Sequence, residues 1–91
     1  MAMNAVWLKL EDSNLADTLR KASAELDGAE GEVVLDFSSV HRIDASALRS
    51  IEALAAIAHD KGVKVALRGV NVSIYKVLKL ARLDPQFSFL T

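Results

Sequence analysis

The chain has 91 residues, a formal net charge of −1 from eleven basic and twelve acidic side chains, and no cysteine. That length makes one domain, residues 1–91, and the charge balance gives no global field for nucleic acid or an anionic membrane. Disulfides, thiol catalysis and thiolate metal sites are excluded, no apolar run approaches the roughly 20 residues of a membrane span, and no signal-peptide pattern opens the chain, so a cytoplasmic domain without direct membrane insertion is expected.

Val6, Leu8 and Leu10 recur at period two and predict a first strand. Asp12, Ser13 and Asn14 offer N-caps for a helix carrying Leu15, Leu19, Ala22 and Leu26 on one stripe, with Gly28 and Gly31 bracketing its exit. Glu32–Phe37 is a more continuously apolar strand, expected at the centre of a sheet. Ser38 to Arg42 then reads as a short loop containing His41. From Asp44 to about Lys61 the pattern is helical, with Leu48, Ile51, Leu54, Ala55 and Ala58 inward and Gly62 as the stop.

Val63, Val65 and Leu67 alternate with Lys64, Ala66 and Arg68, a half-buried strand with one polar face. In the turn Arg68–Ser73, Gly69 is expected to bend the chain, with Asn71 or Ser73 as cap, although the same turn would also flank a docking face. A third helix runs from about Ser73 to Leu83 with Ile74, Val77, Leu78 and Ala81 inward, and Tyr75 off that stripe. Asp84-Pro85 ends it, and Phe87 and Phe89 open a last short strand. The order β-α-β-α-β-α-β implies an α/β fold with a mostly parallel four-stranded sheet. The polar side of the third strand places the helices mainly on one face. Trp7 falls on the other face or at an edge, either incidentally or as a contact point.

Little of this supplies catalytic chemistry. Neither G-x-G-x-x-G nor a P-loop is present, so nucleotide binding would rest only on loop amides around Asp44 and Asn71. His41 and His59 lack a third ligand at metal spacing. The carboxylates Asp36 and Asp44 form an acid pair in name only, since so small a core leaves little room for an enclosed substrate. Ser46, His41 and Asp44 lack the G-x-S-x-G elbow of a hydrolase. No cofactor, no metal and no enzyme activity are expected.

The informative stretch is Val33 to Leu48, a buried strand, a loop and a helix start. With Asp44 as N-cap, Ser46 is the second helical residue, exposed beside free backbone N–H groups. Ser and Asp there are also ordinary capping residues. A phosphate on Ser46 would meet those donors, with Arg42 and Arg49 as candidate partners and Asp44 opposing it.

Asp36-Phe37-Ser38 followed by Ile43-Asp44-Ala45-Ser46-Ala47-Leu48 resembles the STAS family, the sulfate transporter and anti-sigma factor antagonist domains, whose strand ends in D-[LFM]-S before [IM]-D-S-S-G-L. Gly62-Val63 and the run Val77 to Asp84 are similar to the rest of the family's pattern, including its closing vxrvLexxGLd helix, so the likeness spans nearly the whole chain. It implies a non-catalytic regulatory module of the anti-sigma factor antagonist type. Such a module binds a partner-switching serine kinase that is itself the anti-sigma factor, and Ser46 would be the phosphoacceptor. The docking surface would comprise Ser38, Ser39, His41, Arg42, Asp44, Ala45, Ser46, Ala47 and Arg49. Ala45 and Ala47 depart from the family's Ser and Gly; the D-A-[ST] form also occurs in STAS domains of anion transporters. The alternative is therefore an accessory subunit or domain of a membrane transporter, an anion carrier or lipid ABC system, with no phosphoswitch. Set against longer members, the resemblance implies that the extra N-terminal strand and final helix are not among these 91 residues, a gap that a partner or homodimer contact is expected to cover.

Overall fold

The alternation of Val6, Leu8 and Leu10 becomes strand β1 (Ala5–Glu11) in the computed structural model, which describes residues 5–26 and 32–90. Helix α1 (Leu15–Glu25), β2 (Glu32–Ser39), α2 (Ala45–Lys61), β3 (Lys64–Arg68), α3 (Val72–Leu80) and β4 (Ser88–Leu90) follow. The sheet order is β1-β2-β3-β4 and all three pairings are parallel. The expected α/β order therefore holds, with β2 central as its apolar run implies. Glycines 28 and 31 lie outside the described residues.

One face of the sheet carries the core. Leu10, Val33, Leu35, Phe37, Val65 and Leu67 share a single buried cluster with Leu19 of α1, Ile51 and Leu54 of α2, and Ile74 and Leu78 of α3. All three helices thus pack on the same side, the one to which the alternate strand residues of that cluster point. On the other side Val34 and Ala66 are buried yet belong to no helix-side cluster. Trp7, Val34 and Ala66 stand side by side in register, as do Lys9, Asp36 and Arg68. On this side the Arg68 guanidinium lies 6.0 Å from the Trp7 ring centroid. The face of the third strand expected to be polar carries the buried Ala66 between the exposed Lys64 and Arg68.

Three boundaries differ from the sequence reading. Asp12–Asn14 form a 3-10 turn, and Asn14 precedes α1 without a side-chain cap bond, so the expected N-caps do not cap. Ser38 and Ser39 belong to β2 rather than to the following loop, paired as far as Glu11↔Ser39. Helix α3 ends at Leu80 instead of Leu83.

The reason for this last difference is visible by comparison with α2. After α2, Gly62 N bonds to His59 O and Val63 N to Ala58 O, with Gly62 at φ 67°. After α3, Arg82 N bonds to Lys79 O and Leu83 N to Leu78 O, with Arg82 at φ 59°. Both ends close with the same pair of bonds, the Schellman arrangement, but α3 does so on a residue that favours the left-handed region far less than glycine.

Candidate functional site

The loop from Val40 to Asp44 links β2 to α2 and is held from three directions. Val40 N donates to Phe37 O at 2.9 Å, turning the chain off the strand. Asp12, in the turn after β1, accepts the His41 backbone N–H at 3.0 Å through Oδ1, and its Oδ2 lies 2.7 Å from His41 Nδ1. The hydrogen bond from the His41 ring is the main cause that holds the Asp12 carboxyl below the ordinary carboxylate range, with the His41 N–H next. From the other flank, Asn71 Nδ2 donates to His41 O at 3.0 Å and to Val40 O at 3.4 Å. The same Asn71 caps α3 through Oδ1, accepting from Ile74 N at 2.8 Å. One side chain therefore starts a helix and fixes a loop thirty residues away in the chain.

The loop delivers Asp44 to the N-cap of α2, where its Oδ1 accepts from Ala47 N at 2.8 Å and its carbonyl from Leu48 N at 2.9 Å. Ala45 and Ser46 are then the first two helical residues, both exposed, and their N–H groups precede any helical acceptor. Ala47 is turned inward and only 2% exposed. An open concavity of about 830 Å³ lies between the starts of α1 and α2, lined among others by Asp12, Asp17, His41, Arg42, Asp44 and Ser46. Asp17 is engaged with Arg20 in an ion pair.

Of the residues singled out in the sequence, the structure thus gathers His41, Arg42, Asp44, Ser46 and Ala47 around one concavity. Exposed Ala45 and Arg49 lie nearby on α2 but do not line it. Ser38 and Ser39 stand apart. Ser38 N donates to Asp36 Oδ1 at 2.9 Å, and the turn at Gly69 crosses Ser38 so closely that a Cβ at position 69 would meet Ser38 Cα at 2.9 Å. With φ 72° as well, only glycine fits that crossing. Asp36 is held below the ordinary carboxylate range, chiefly by the Ser38 hydroxyl and then by its N–H, with Arg68 3.7 Å away contributing.

The catalytic groupings considered above do not assemble. His41 Nδ1 faces Asp12 rather than Asp44, and Asp44 is committed to its cap. By strand alternation Asp36 faces the helix-free side of the sheet, away from the start of α2. Among the described residues no group of three His, Asp or Glu side chains is placed to hold a metal. None of the described helices is long and apolar enough to cross a membrane. The residues that sequence reasoning missed are Asp12 and Asn71 in their loop-holding role. A capping signal was present at both, but nothing local announces a bond to a distant loop.

A parallel four-stranded sheet with three helices on one face, and a capped helix start presented at its edge, defines a STAS-type α/β domain. The family model described as Mlab, STAS domain matches residues 6–91, and the chain belongs to that family. Among solved structures, the crystal structure of a candidate anti-sigma factor antagonist from Thermotoga maritima is 24% identical and superposes with a TM-score of 0.77, covering 97% of this chain and 81% of that one. An NMR structure of the protein TM1081 gives 22% identity and a TM-score of 0.78, over 99% of this chain and 76% of that one. At these identities the likeness shows a shared fold. No curated protein matches the chain.

Proposed function

We propose that this protein is a non-catalytic interaction module of the anti-sigma factor antagonist type, that it docks a serine kinase acting as anti-sigma factor through the start of α2, and that phosphorylation of Ser46 releases it. The observation that carries this reading is the exposure of Ser46 as the second residue of α2, beside a loop pinned by both Asp12 and Asn71. A rigid loop presents the hydroxyl to a partner in one geometry, so little ordering entropy is lost on docking. The name of the Thermotoga maritima neighbour supports the same class.

Magnitudes argue that the switch acts on the partner and not on the fold. A phosphate on Ser46 adds about −1.5 to −2 charges at pH 7. The helix dipole and the free N–H groups favour it by about 0.3–1 kcal/mol at an exposed site. Repulsion from Asp44 in a water-like dielectric costs at most about 1 kcal/mol per pair of unit charges beyond about 4 Å. The two nearly cancel, so the domain stays folded. A partner surface shaped for a neutral hydroxyl instead loses a good contact and meets a buried anion, which is far more costly.

A second reading, an accessory subunit of a membrane transporter, is favoured by Ala45 and by the inward-packed Ala47, where anti-sigma antagonists carry Ser and Gly. In that case α2 packs against a transporter protein and Ser46 needs no modification. Phosphosite mapping on the protein purified from its own cells distinguishes the two. The anti-sigma antagonist reading expects one phosphate on the peptide containing Ser46, lost in Ser46→Ala, and a co-purifying kinase. An unmodified Ser46 together with a co-purifying transporter subunit would overturn it in favour of the second.

A further inference from the structure

Helix α3 carries the densest exposed apolar surface among the described residues. Of the five large hydrophobic side chains exposed among the described residues, three, Val72 at 70%, Tyr75 at 39% and Leu80 at 85%, lie on these nine residues. Tyr75 has a structural reason, since it meets the Phe89 ring edge-on at 5.2 Å. Leu80 has none: Ile74 and Leu78 fill the core, and Leu80 points away from it.

The charge around Leu80 is of one sign. Lys76, Lys79 and Arg82 share a shallow concavity with it, and α3 contains no acidic residue. Among the described residues none of these three cations has a carboxylate within ion-pair distance. What sets the patch apart is that three like charges surround one exposed leucine with no acidic residue on the helix. Helix-end dipole compensation accounts for Lys79, but not for Lys76 or for Arg82 on a strained backbone. A leucine ringed by three unpaired cations is complementary to an anionic surface with an apolar residue at its centre.

We infer that the C-terminal half of α3 is a second docking surface, and that its occupant is an acidic amphipathic helix of a partner protein. Leu80 would insert between apolar side chains of that helix, while Lys76, Lys79 and Arg82 pair with its Glu or Asp residues. This surface lies at the end of α3 remote from Asn71 and the Ser46 loop, so it stands whether or not Ser46 is a switch. Nine residues span only about 13 Å, so the contact belongs to the small, fast-exchanging class. Three cations at an exposed patch make it sensitive to salt.

The test is an NMR titration of the full chain with a synthetic helix of about 15 residues, leucines at i, i+3 and i+7 and glutamates elsewhere, beside a control peptide with lysines replacing the glutamates. The expected result is saturable shifts confined to Lys76–Leu83 with the acidic peptide only. They should weaken at least about tenfold in K76E/K79E and in Leu80→Ser, and fade as salt rises from about 0.05 M to about 0.5 M. Leu80 is exposed, so its variant should fold; matching melting curves and unchanged Ser46 amide shifts check this. Shifts that persist in K76E/K79E, or equal shifts from the lysine peptide, would overturn the proposal. So would a null peptide titration, and co-sedimentation with vesicles containing about 30% phosphatidylserine would then assign the patch to lipid. Self-association through Leu80 in the peptide-free sample would likewise overturn it.

Discussion

At the scale of single residues, two backbone positions decide how loops meet the sheet. Arg82 holds the left-handed conformation that Gly62 holds after α2, with the same two closing hydrogen bonds. The cost of that conformation for a residue with a Cβ is about 1–2 kcal/mol, part of which glycine returns as unfolded-state entropy. Arg82→Gly is therefore expected to stabilise the domain by roughly 0.5–1 kcal/mol, raising the melting temperature by about 2–8 °C in a thermal melt. Gly69→Ala should do the reverse, because φ 72° and a 2.9 Å approach to Ser38 backbone leave no room for a methyl group. A loss of at least about 2 kcal/mol in urea unfolding is expected, with the β3–α3 turn displaced from β2. The closing motif with glycine before leucine and aspartate, seen in the resemblance, contains the clue to Arg82. Its departure from the pattern is legible in the sequence once the position is known to need a positive φ.

At the scale of elements, the helices were legible where their signals are local. Gly62 marks the end of α2, Asp44 caps its start, and the stripe from Leu48 to Ala58 fixes its buried face. The loop before α2 was not legible, because its geometry comes from Asp12 and Asn71, 29 and 30 positions from His41. Asn71→Ala removes the α3 cap, worth about 1 kcal/mol, and also frees the carbonyls of Val40 and His41. Asn71→Asp keeps a capping oxygen but loses the donors to the loop. The two variants are expected to agree in faster amide exchange at residues 40–44, while only Asn71→Ala shows faster exchange in the first turn of α3. Equal loop protection in all three proteins would contradict the clamp.

For the whole molecule, the α/β order could be read because strands and helices alternate with clean periodicities. The one-sided packing followed from the polar residues of β3. The approach of Arg68 to Trp7 across β2 could not be read, since it depends on register between three strands. Acid stability follows from two carboxylates in this frame. Asp12 and Asp36 both have folded-state values below the unfolded one of about 3.9, so their stabilising contributions are complete above that value and lost as pH falls through the folded values. Unfolding free energy is thus expected to drop below about pH 4, and the D12N/D36N variant should show a shallower drop in urea titrations between about pH 5 and pH 2. The account as a whole rests on Ser46 facing a partner. Calorimetric binding of the wild type, Ser46→Ala and Ser46→Asp to the serine kinase of the protein's own cell tests this most directly. Wild-type affinity for Ser46→Ala and at least about a tenfold loss for Ser46→Asp are predicted; equal affinity of all three would contradict the claim that this hydroxyl is the switch.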